Sequence, residues 1–317
     1  MVESHADAAS TEVVPVVQPP TPRRQKARAP RAPRAPRPAP QGVGAVVATT
    51  STMVTLVCVW AVLQLLVLSG VAHDREQALL YADFRVQLAE TTAPLGPEIA
   101  AGAPVAILEI PAIGVEEVVV EGTASGDLLD GPGHLRGTPL PGQRGFSVVM
   151  GRAATYGAPF AHLGELRRGD DVEVLTSQGA KTLEVIGVRH EGDPVPAFDD
   201  PQAAVVTFVS AEGDGGWLSA LTPQTTVYVD AVARESFPTP GGYGLTAPQA
   251  EQEMERDTAA LPLLALWLAL LVGLSVLVVL ARQRWSAVLV WTVAGPAAIS
   301  LAWVATDTGM RLLPNLL

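Results

Sequence analysis

Three long stretches of this chain carry no charged side chain, and they constrain its fold more than any other feature. They cover residues 38–72, 258–281 and 285–306, which is 35, 24 and 22 residues. A bilayer core of about 30 Å is crossed by about 20 apolar residues in a helix. We therefore predict three transmembrane helices, over residues 44–72, 258–281 and 285–306. A cleaved signal peptide is rejected for the first, because its apolar run starts late and two more spans follow.

The distribution of charge predicts how these helices are oriented. Seven basic residues precede the first span, and Arg282 and Arg284 separate the other two, whereas residues 73–257 hold 28 acidic and 11 basic residues. Basic loops stay on the cytoplasmic side of a membrane. We predict a multi-pass plasma-membrane protein with a cytoplasmic N-terminus and an extracytoplasmic globular domain. The acidity of that domain argues against nucleic acid as a partner, because phosphates would be repelled.

Composition divides the rest of the chain into segments. The predicted segments are a disordered basic tail rich in Pro, Ala and Arg (1–43), a helical stalk (73–101), a globular body (102–234), a linker (235–257) and a short outer tail (307–317).

The globular body has the pattern of an all-β domain. Its short runs rich in β-branched residues predict strands at 105–110, 115–120, 146–150, 171–176, 182–188, 204–210 and 226–232. Turn signals such as Pro141-Gly142 and Gln178-Gly179 separate them. Seven or eight short strands in this length predict a closed barrel or a sandwich.

Several motifs of the body resemble, in order and spacing, those of the sortase family, in particular its actinobacterial housekeeping-type, class E-like members. The motifs are IPAIGV (110–115), LLDGPGH (128–134), VVMGRAATYGAPF (148–160), LGELRRGD (163–170) and AVVTFVSA (204–211). The resemblance implies an eight-stranded β-barrel transpeptidase. In such an enzyme a cysteine thiolate attacks a Thr–Gly bond of a sorting signal, a histidine acts as acid or base, and an arginine stabilises the oxyanion.

The residues that the resemblance places at the three catalytic positions are substituted here. Arg152 stands at the histidine position after Gly151, Ala211 at the cysteine position and Thr226 at the arginine position. The sole cysteine, Cys58, belongs to the first predicted span. Composition therefore excludes a cysteine mechanism for the barrel, and we expect no catalytic residue in it.

The resulting hypothesis is a catalytically inactive, sortase-like membrane protein. It would bind or present a sorting-signal peptide or a surface protein, or assist an active sortase, and its three spans would contact membrane lipid. The residues expected to line its groove are Gly151, Arg152, His134, Tyr156 and Ser210. No cofactor and no metal are expected.

Two alternatives remain open from the sequence. One is a divergent transpeptidase or hydrolase with a non-cysteine nucleophile, for which Ser210 and the histidines His134, His162 and His190 are the candidates. The other is a structural membrane subunit in which the barrel is passive. A run of acidic residues, Glu116, Glu117, Glu121, Asp127 and Asp130, is interpreted as a solvated face in preference to a Ca²⁺ site.

Overall fold

A computed structural model of the chain describes residues 55, 59–60, 62–198, 200–213, 225–244, 247–281 and 285–317. The described residues contain a closed barrel of eight strands and three long helices. The basic tail, most of the first predicted span and Cys58 lie outside the described residues.

The strands of the barrel follow the apolar runs of the sequence. They are β1 (Pro104–Ile110), β2 (Val115–Glu121), β3 (Gly133–His134), β4 (Gly145–Met150), β5 (Asp171–Thr176), β6 (Gly179–His190), β7 (Ala204–Glu212) and β8 (Thr225–Ala233). All seven predicted strands are confirmed, and the two-residue β3 is the additional strand. Alternation is clearest in β5, where Val172 and Val174 point into the core and their neighbours face outward.

The strand order around the barrel is β1-β2-β3-β4-β7-β8-β6-β5, and the β1–β5 pair closes it. The β2–β3 and β4–β7 pairs are parallel, whereas the other pairs are antiparallel. The interior is filled by aliphatic side chains together with Phe160 and Phe208, whose rings meet edge to face at 6.0 Å. Because β4 and β7 run side by side in the same direction, their carboxyl ends lie at the same end of the barrel.

Helix α1 (Ser69–Glu90) follows a π-helical turn, Gln64–Leu68, and packs against the outside of the barrel. Its Phe84 is completely buried and forms a small apolar cluster with Ile107 of β1 and Val118 of β2. The sequence predicts a stalk at this position, and the helix does form. It lies along the barrel because the stripe that includes Leu80, Phe84 and Leu88 is apolar enough to need cover.

Helices α2 (Leu261–Ala281) and α3 (Ala287–Met310) pack against each other as a hairpin. Two stretches, Thr258–Val278 and Val288–Met310, are long and apolar enough to cross a membrane. Most of their large apolar side chains are exposed.

The segments on either side of this hairpin pack onto the barrel. Glu251, in the predicted linker, is completely buried and forms an ion pair with Arg136. Residues 311–317, in the predicted outer tail, lie against the loops that follow β2 and β4. Composition alone cannot show this, because both segments are short and neither carries a periodic apolar pattern.

Candidate functional site

The three substituted positions come together at one end of the barrel. The Gly151 N–H, just after β4, donates to the Val209 carbonyl of β7 at 3.0 Å. Ala211, near the end of β7, is paired with Thr226 of β8. The sequence motifs are far apart along the chain, and the parallel β4–β7 pair is what brings Arg152 close to the Ala211–Thr226 pair.

Close packing fixes the backbone just before Arg152. A Cβ atom at Gly151 would lie 2.4 Å from the Phe160 ring, so only glycine fits between the two strands and this side chain. The Phe160 N–H also donates to the Arg152 carbonyl at 3.1 Å, which folds the loop after β4 back on itself. These two contacts fix the backbone on either side of the Arg152 Cα atom.

The Arg152 guanidinium is completely buried and makes five hydrogen bonds. Its Nε donates to Leu128 O at 3.1 Å. Its Nη1 donates to Thr155 Oγ1 and Leu317 O, and its Nη2 donates to the carbonyl and the hydroxyl oxygens of Ser125. Burial lowers the pKa of Arg152 to about 10, and the Tyr156 and Asp307 side chains oppose that change. The group therefore stays charged at neutral pH, and its charge is compensated by carbonyl and hydroxyl oxygens.

Tyr156 extends this network toward the helices. Its backbone is left-handed, with φ of 51°, and its hydroxyl donates to Asp307 Oδ1 of α3 at 2.8 Å. Burial, followed by the charge of Asp307 and the hydrogen bond to it, raises the pKa of Tyr156. The ring centroid lies 5.7 Å from Cζ of Arg152. Tyr156 thus connects the substituted histidine position to the end of the last helix.

The surface next to Ala211, where the sequence predicts a groove, is covered by residues 316 and 317 of the chain itself. Leu316 is completely buried in an apolar cluster whose other buried members are Leu128, Met150, Ala153, Val209 and Ala211. The Ala153 N–H donates to Leu316 O at 3.0 Å, and the Arg152 guanidinium and Thr155 hydroxyl both donate to Leu317 O. A small pocket of about 180 Å³ remains open on the other side of Ala211, toward Phe160 and Gly164.

Ser210 is buried, and its hydroxyl donates to Gly151 O at 3.0 Å. Each histidine of the described residues is hydrogen-bonded to a carboxylate. The pairs are His73 with Glu117, His134 with Glu121, His162 with Glu165 and His190 with Glu212. Among the described residues, then, the hydrogen bonds place no histidine beside Ser210.

His134 is completely buried at the β2–β3 pair, where its partner Glu121 is also buried. Its other ring nitrogen lies 3.0 Å from Pro139 O and 2.9 Å from Thr138 Oγ1. The residues predicted to line a groove are thus divided. Gly151, Arg152, Tyr156 and Ser210 lie in or beside the hydrogen-bond network around Leu317, whereas His134 belongs to a separate buried pair. The prediction of a solvated acidic face is wrong for Glu121, because its carboxylate is buried and hydrogen-bonded to His134 of β3.

Sequence reasoning missed the groups that complete the site, namely Ser125, Thr155, Asn315 and Leu316. The first two are ordinary loop residues, and the last two follow the final apolar helix in a stretch with no motif. Among the described residues, no group of three or more His, Cys, Asp or Glu side chains is placed to hold a metal ion.

Comparison with known proteins finds similarity over most of the barrel. A Sortase domain family model matches residues 108–210, and Sortase D of Bacillus subtilis (strain 168) is 38% identical over 121 residues. Over residues 108–210 the chain is therefore similar to the sortase family. The match covers 38% of this chain and 53% of Sortase D, so the chain spans about half the length of this curated relative.

Solved sortases are more distant in sequence from this chain. The Clostridium perfringens Sortase D5 transpeptidase is 20% identical, with a TM-score of 0.38 over 50% of this chain and 96% of its own. The SrtF sortase from Corynebacterium diphtheriae is 23% identical, with a TM-score of 0.37 over 50% of this chain and 99% of its own.

Proposed function

We propose that this chain is a membrane-anchored member of the sortase family that binds peptide in its groove without cysteine-dependent catalysis. The observation that carries the proposal is the convergence of Arg152, Ala211 and Thr226 at one end of the barrel. These are the positions at which the family resemblance implies histidine, cysteine and arginine.

The chemistry of the residues present supports this proposal. A methyl group cannot be ionised, so Ala211 offers no nucleophile for an acyl-enzyme. An arginine that remains charged at neutral pH cannot accept a proton, so Arg152 does not replace a general base. The Ser210 hydroxyl donates to a backbone carbonyl, and the described histidines are paired with carboxylates, so a serine mechanism has no support from the geometry.

The same residues suit binding. Carbonyl oxygens of an extended chain match the donors of Arg152 and Thr155, and aliphatic side chains match the cluster around Met150 and Val209. We propose a sorting-signal peptide, a surface protein or an active sortase as the partner of this groove.

The apolar helices support a membrane location for the chain. Both stretches, Thr258–Val278 and Val288–Met310, meet the length and composition of a bilayer span. Basic residues before residue 44 and between α2 and α3 favour a cytoplasmic side for those loops, which puts the barrel on the outer side.

Intact-protein mass spectrometry tests the absence of catalysis. The full-length protein in detergent is incubated with a peptide that contains a sorting-signal Thr–Gly bond, with and without an amine acceptor. We expect no covalent adduct and no cleaved peptide above the level of a protein-free control. The matched variant carries Arg152→His, Ala211→Cys and Thr226→Arg together, and it shows whether restoring the three residue types restores an adduct.

The outcome that would overturn the proposal is turnover by the unmodified protein. If turnover were seen, the Ser210→Ala variant would show whether Ser210 is the nucleophile. Loss of turnover in Ser210→Ala would establish the divergent-enzyme alternative instead.

A further inference from the structure

We propose that residues 312–317, here called the plug segment, are an internal ligand that competes with any peptide for the sortase groove. This inference rests on the proposed peptide-binding function, and it adds the regulation of that site. The plug segment follows directly after α3 and Arg311, so the occupant of the groove is joined to the helical hairpin by a single residue.

The first line of support is the recognition of the plug backbone at the substituted histidine position. Leu317 O accepts hydrogen bonds from the Arg152 guanidinium at 3.0 Å and from Thr155 Oγ1 at 2.5 Å. Leu316 O accepts from the Ala153 N–H at 3.0 Å. Backbone oxygens are common to all peptides, so these donors can serve another extended chain equally well.

The second line of support is the polar contacts of Asn315. Its Nδ2 donates to Thr123 O at 2.9 Å and to Gln252 O at 2.8 Å, and its own N–H donates to Glu255 O. The two carbonyls require a donor, which the Asn amide supplies. An Asp carboxylate at this position would have no hydrogen to donate and would be repelled by both carbonyl oxygens. This position therefore gives the groove a preference for a neutral donor side chain.

The third line of support is the apolar burial of Leu316. It is completely buried beside Ala211, and its cluster includes Met150 and Val209 of the two parallel strands. A side chain seated there covers the end of the barrel at which the three substituted positions meet. An incoming peptide cannot place a side chain in this apolar cluster while Leu316 is in place.

The plug segment has the properties of a ligand that can leave. It contributes no strand to the barrel. It is held by side-chain contacts and by isolated hydrogen bonds, namely those of the Leu317 and Leu316 carbonyls, the bond from the Asn315 N–H to Glu255 O, and the bond from Ser125 Oγ to Leu313 O at 3.0 Å. If it left alone, the buried Arg152 would lose one of its acceptors, which is costly. Exchange against a second peptide avoids that loss, and so the geometry favours competition over simple opening.

Thiol labelling of the full-length protein tests the occupancy of the groove. In a Cys58→Ala background, Leu316→Cys is compared with Val195→Cys, whose position is 68% exposed. We expect maleimide to modify the cysteine at position 316 at least about 10-fold more slowly, since labelling there requires local opening. Adding Arg152→Gln, which removes part of the recognition of Leu317, is expected to speed the labelling.

Competition is tested with the blocked peptide acetyl-Leu-Leu-Pro-Asn-Leu-Leu-amide. We expect it to accelerate labelling at position 316, and the same peptide with Asp in place of Asn to do so much less. Hydrogen exchange of the unmodified protein gives a second measurement that does not depend on a substitution. There the Asn315 amide, hydrogen-bonded to Glu255 O, is expected to be protected and to lose protection when the Asn peptide is added.

Two results would overturn the inference. One is an Asn315 amide that exchanges freely in the folded, unmodified protein, which would show an empty groove. The other is an Asn315 amide that stays protected at saturating peptide, which would show a fixed structural segment. Neither result depends on turnover of a sorting peptide, so failure of this inference is distinguishable from failure of the proposed function.

Discussion

Gly151 shows how a single residue sets the geometry of the site. Its neighbours are the Phe160 ring on one side and β7 on the other, and the next residue in the chain is Arg152. The glycine of the sequence motif can be recognised without a structure. The reason for it is that an added methyl group would lie 2.4 Å from the Phe160 ring, and this contact joins residues nine positions apart.

We predict that Gly151→Ala lowers the free energy of unfolding by about 1–3 kcal/mol, because the added methyl group overpacks the core beside Phe160. The measurement is thermal or denaturant unfolding of the full-length protein in detergent. Gly187→Ala is the control, since a Cβ atom at Gly187 meets nothing within 4 Å. Equal free energies of unfolding for the two variants would contradict the prediction, because they would show that the Phe160 ring moves aside with no loss of stability.

Arg152 marks the limit of what the sequence can predict at this scale. The motif order assigns it to the substituted histidine position, and the structure does place it close to Ala211 and Thr226. Apart from Thr155, its hydrogen-bond partners come from the loop after β2 and from residue 317, which no local pattern connects. Long-range polar contacts of this kind follow from the tertiary fold and leave no periodicity in the sequence.

Helix α1 shows the corresponding limit for elements. Its apolar stripe predicts a helix, and the barrel supplies the surface that the stripe covers. Strand β3 cannot be predicted from the sequence, because its two residues, Gly133 and His134, are too few to show an alternation of apolar and polar side chains. The seven longer strands are predictable because each carries a run of β-branched residues.

The contact between α1 and β2 includes a titratable pair, His73 and Glu117. The His73 Nε2 lies 3.0 Å from Glu117 Oε1. Burial lowers the pKa of His73, but the hydrogen bond to Glu117 and the charge of that carboxylate, with smaller contributions from Leu129 and Asp74, together outweigh burial, so its pKa stands above 6.5. His73 therefore binds a proton more tightly in the folded state than in the unfolded state.

We predict that this pair stabilises the protein below pH 6.5 and that the stabilisation is lost as the pH rises through the folded-state pKa of His73. The measurement is the thermal midpoint of the full-length protein from below pH 6.5 to about pH 9. His73→Gln should remove this part of the pH dependence, and His162→Gln, at an exposed position, should retain it. A His73→Gln profile that matches the unmodified protein would contradict the prediction.

At the scale of the whole molecule, the barrel, α1 and α3 meet around Asp130. A cavity of about 300 Å³ lies at this junction, with Glu76, Asp130 and Asp307 among its lining residues. Burial, together with the charges of Glu76 and Asp307, raises the pKa of Asp130 from 3.8 to about 6. The charged form of Asp130 therefore destabilises the junction at neutral pH.

We predict that Asp130→Asn raises the thermal midpoint at about pH 7.5. A raised carboxyl pKa means that stability falls as the pH rises from 3.8 to about 6, so the advantage of the variant should shrink as the pH is lowered through that window. Asp171→Asn, at an exposed site on β5, serves as the control. An unchanged midpoint for Asp130→Asn at neutral pH would show that water or an ion compensates the carboxylate.

The orientation of the chain in a membrane can be tested with single cysteines in a Cys58→Ala background. We predict that Val195→Cys in the barrel reacts with a membrane-impermeant maleimide added to intact cells. Ser10→Cys in the basic tail should react only after the cells are permeabilised, because basic segments remain on the cytoplasmic side of the membrane. Labelling of both positions from outside would contradict the predicted topology.

The position of the plug segment after α3 has a consequence for biosynthesis. A ribosome that has completed β8 must add about 80 further residues before the plug segment exists, which takes about 4–16 seconds at ~5–20 residues per second. During that interval the newly translated barrel has every strand but no internal occupant. If the plug segment is the internal ligand proposed above, each nascent chain passes once through a stage in which the site beside Ala211 is uncovered, before translation supplies its resident segment.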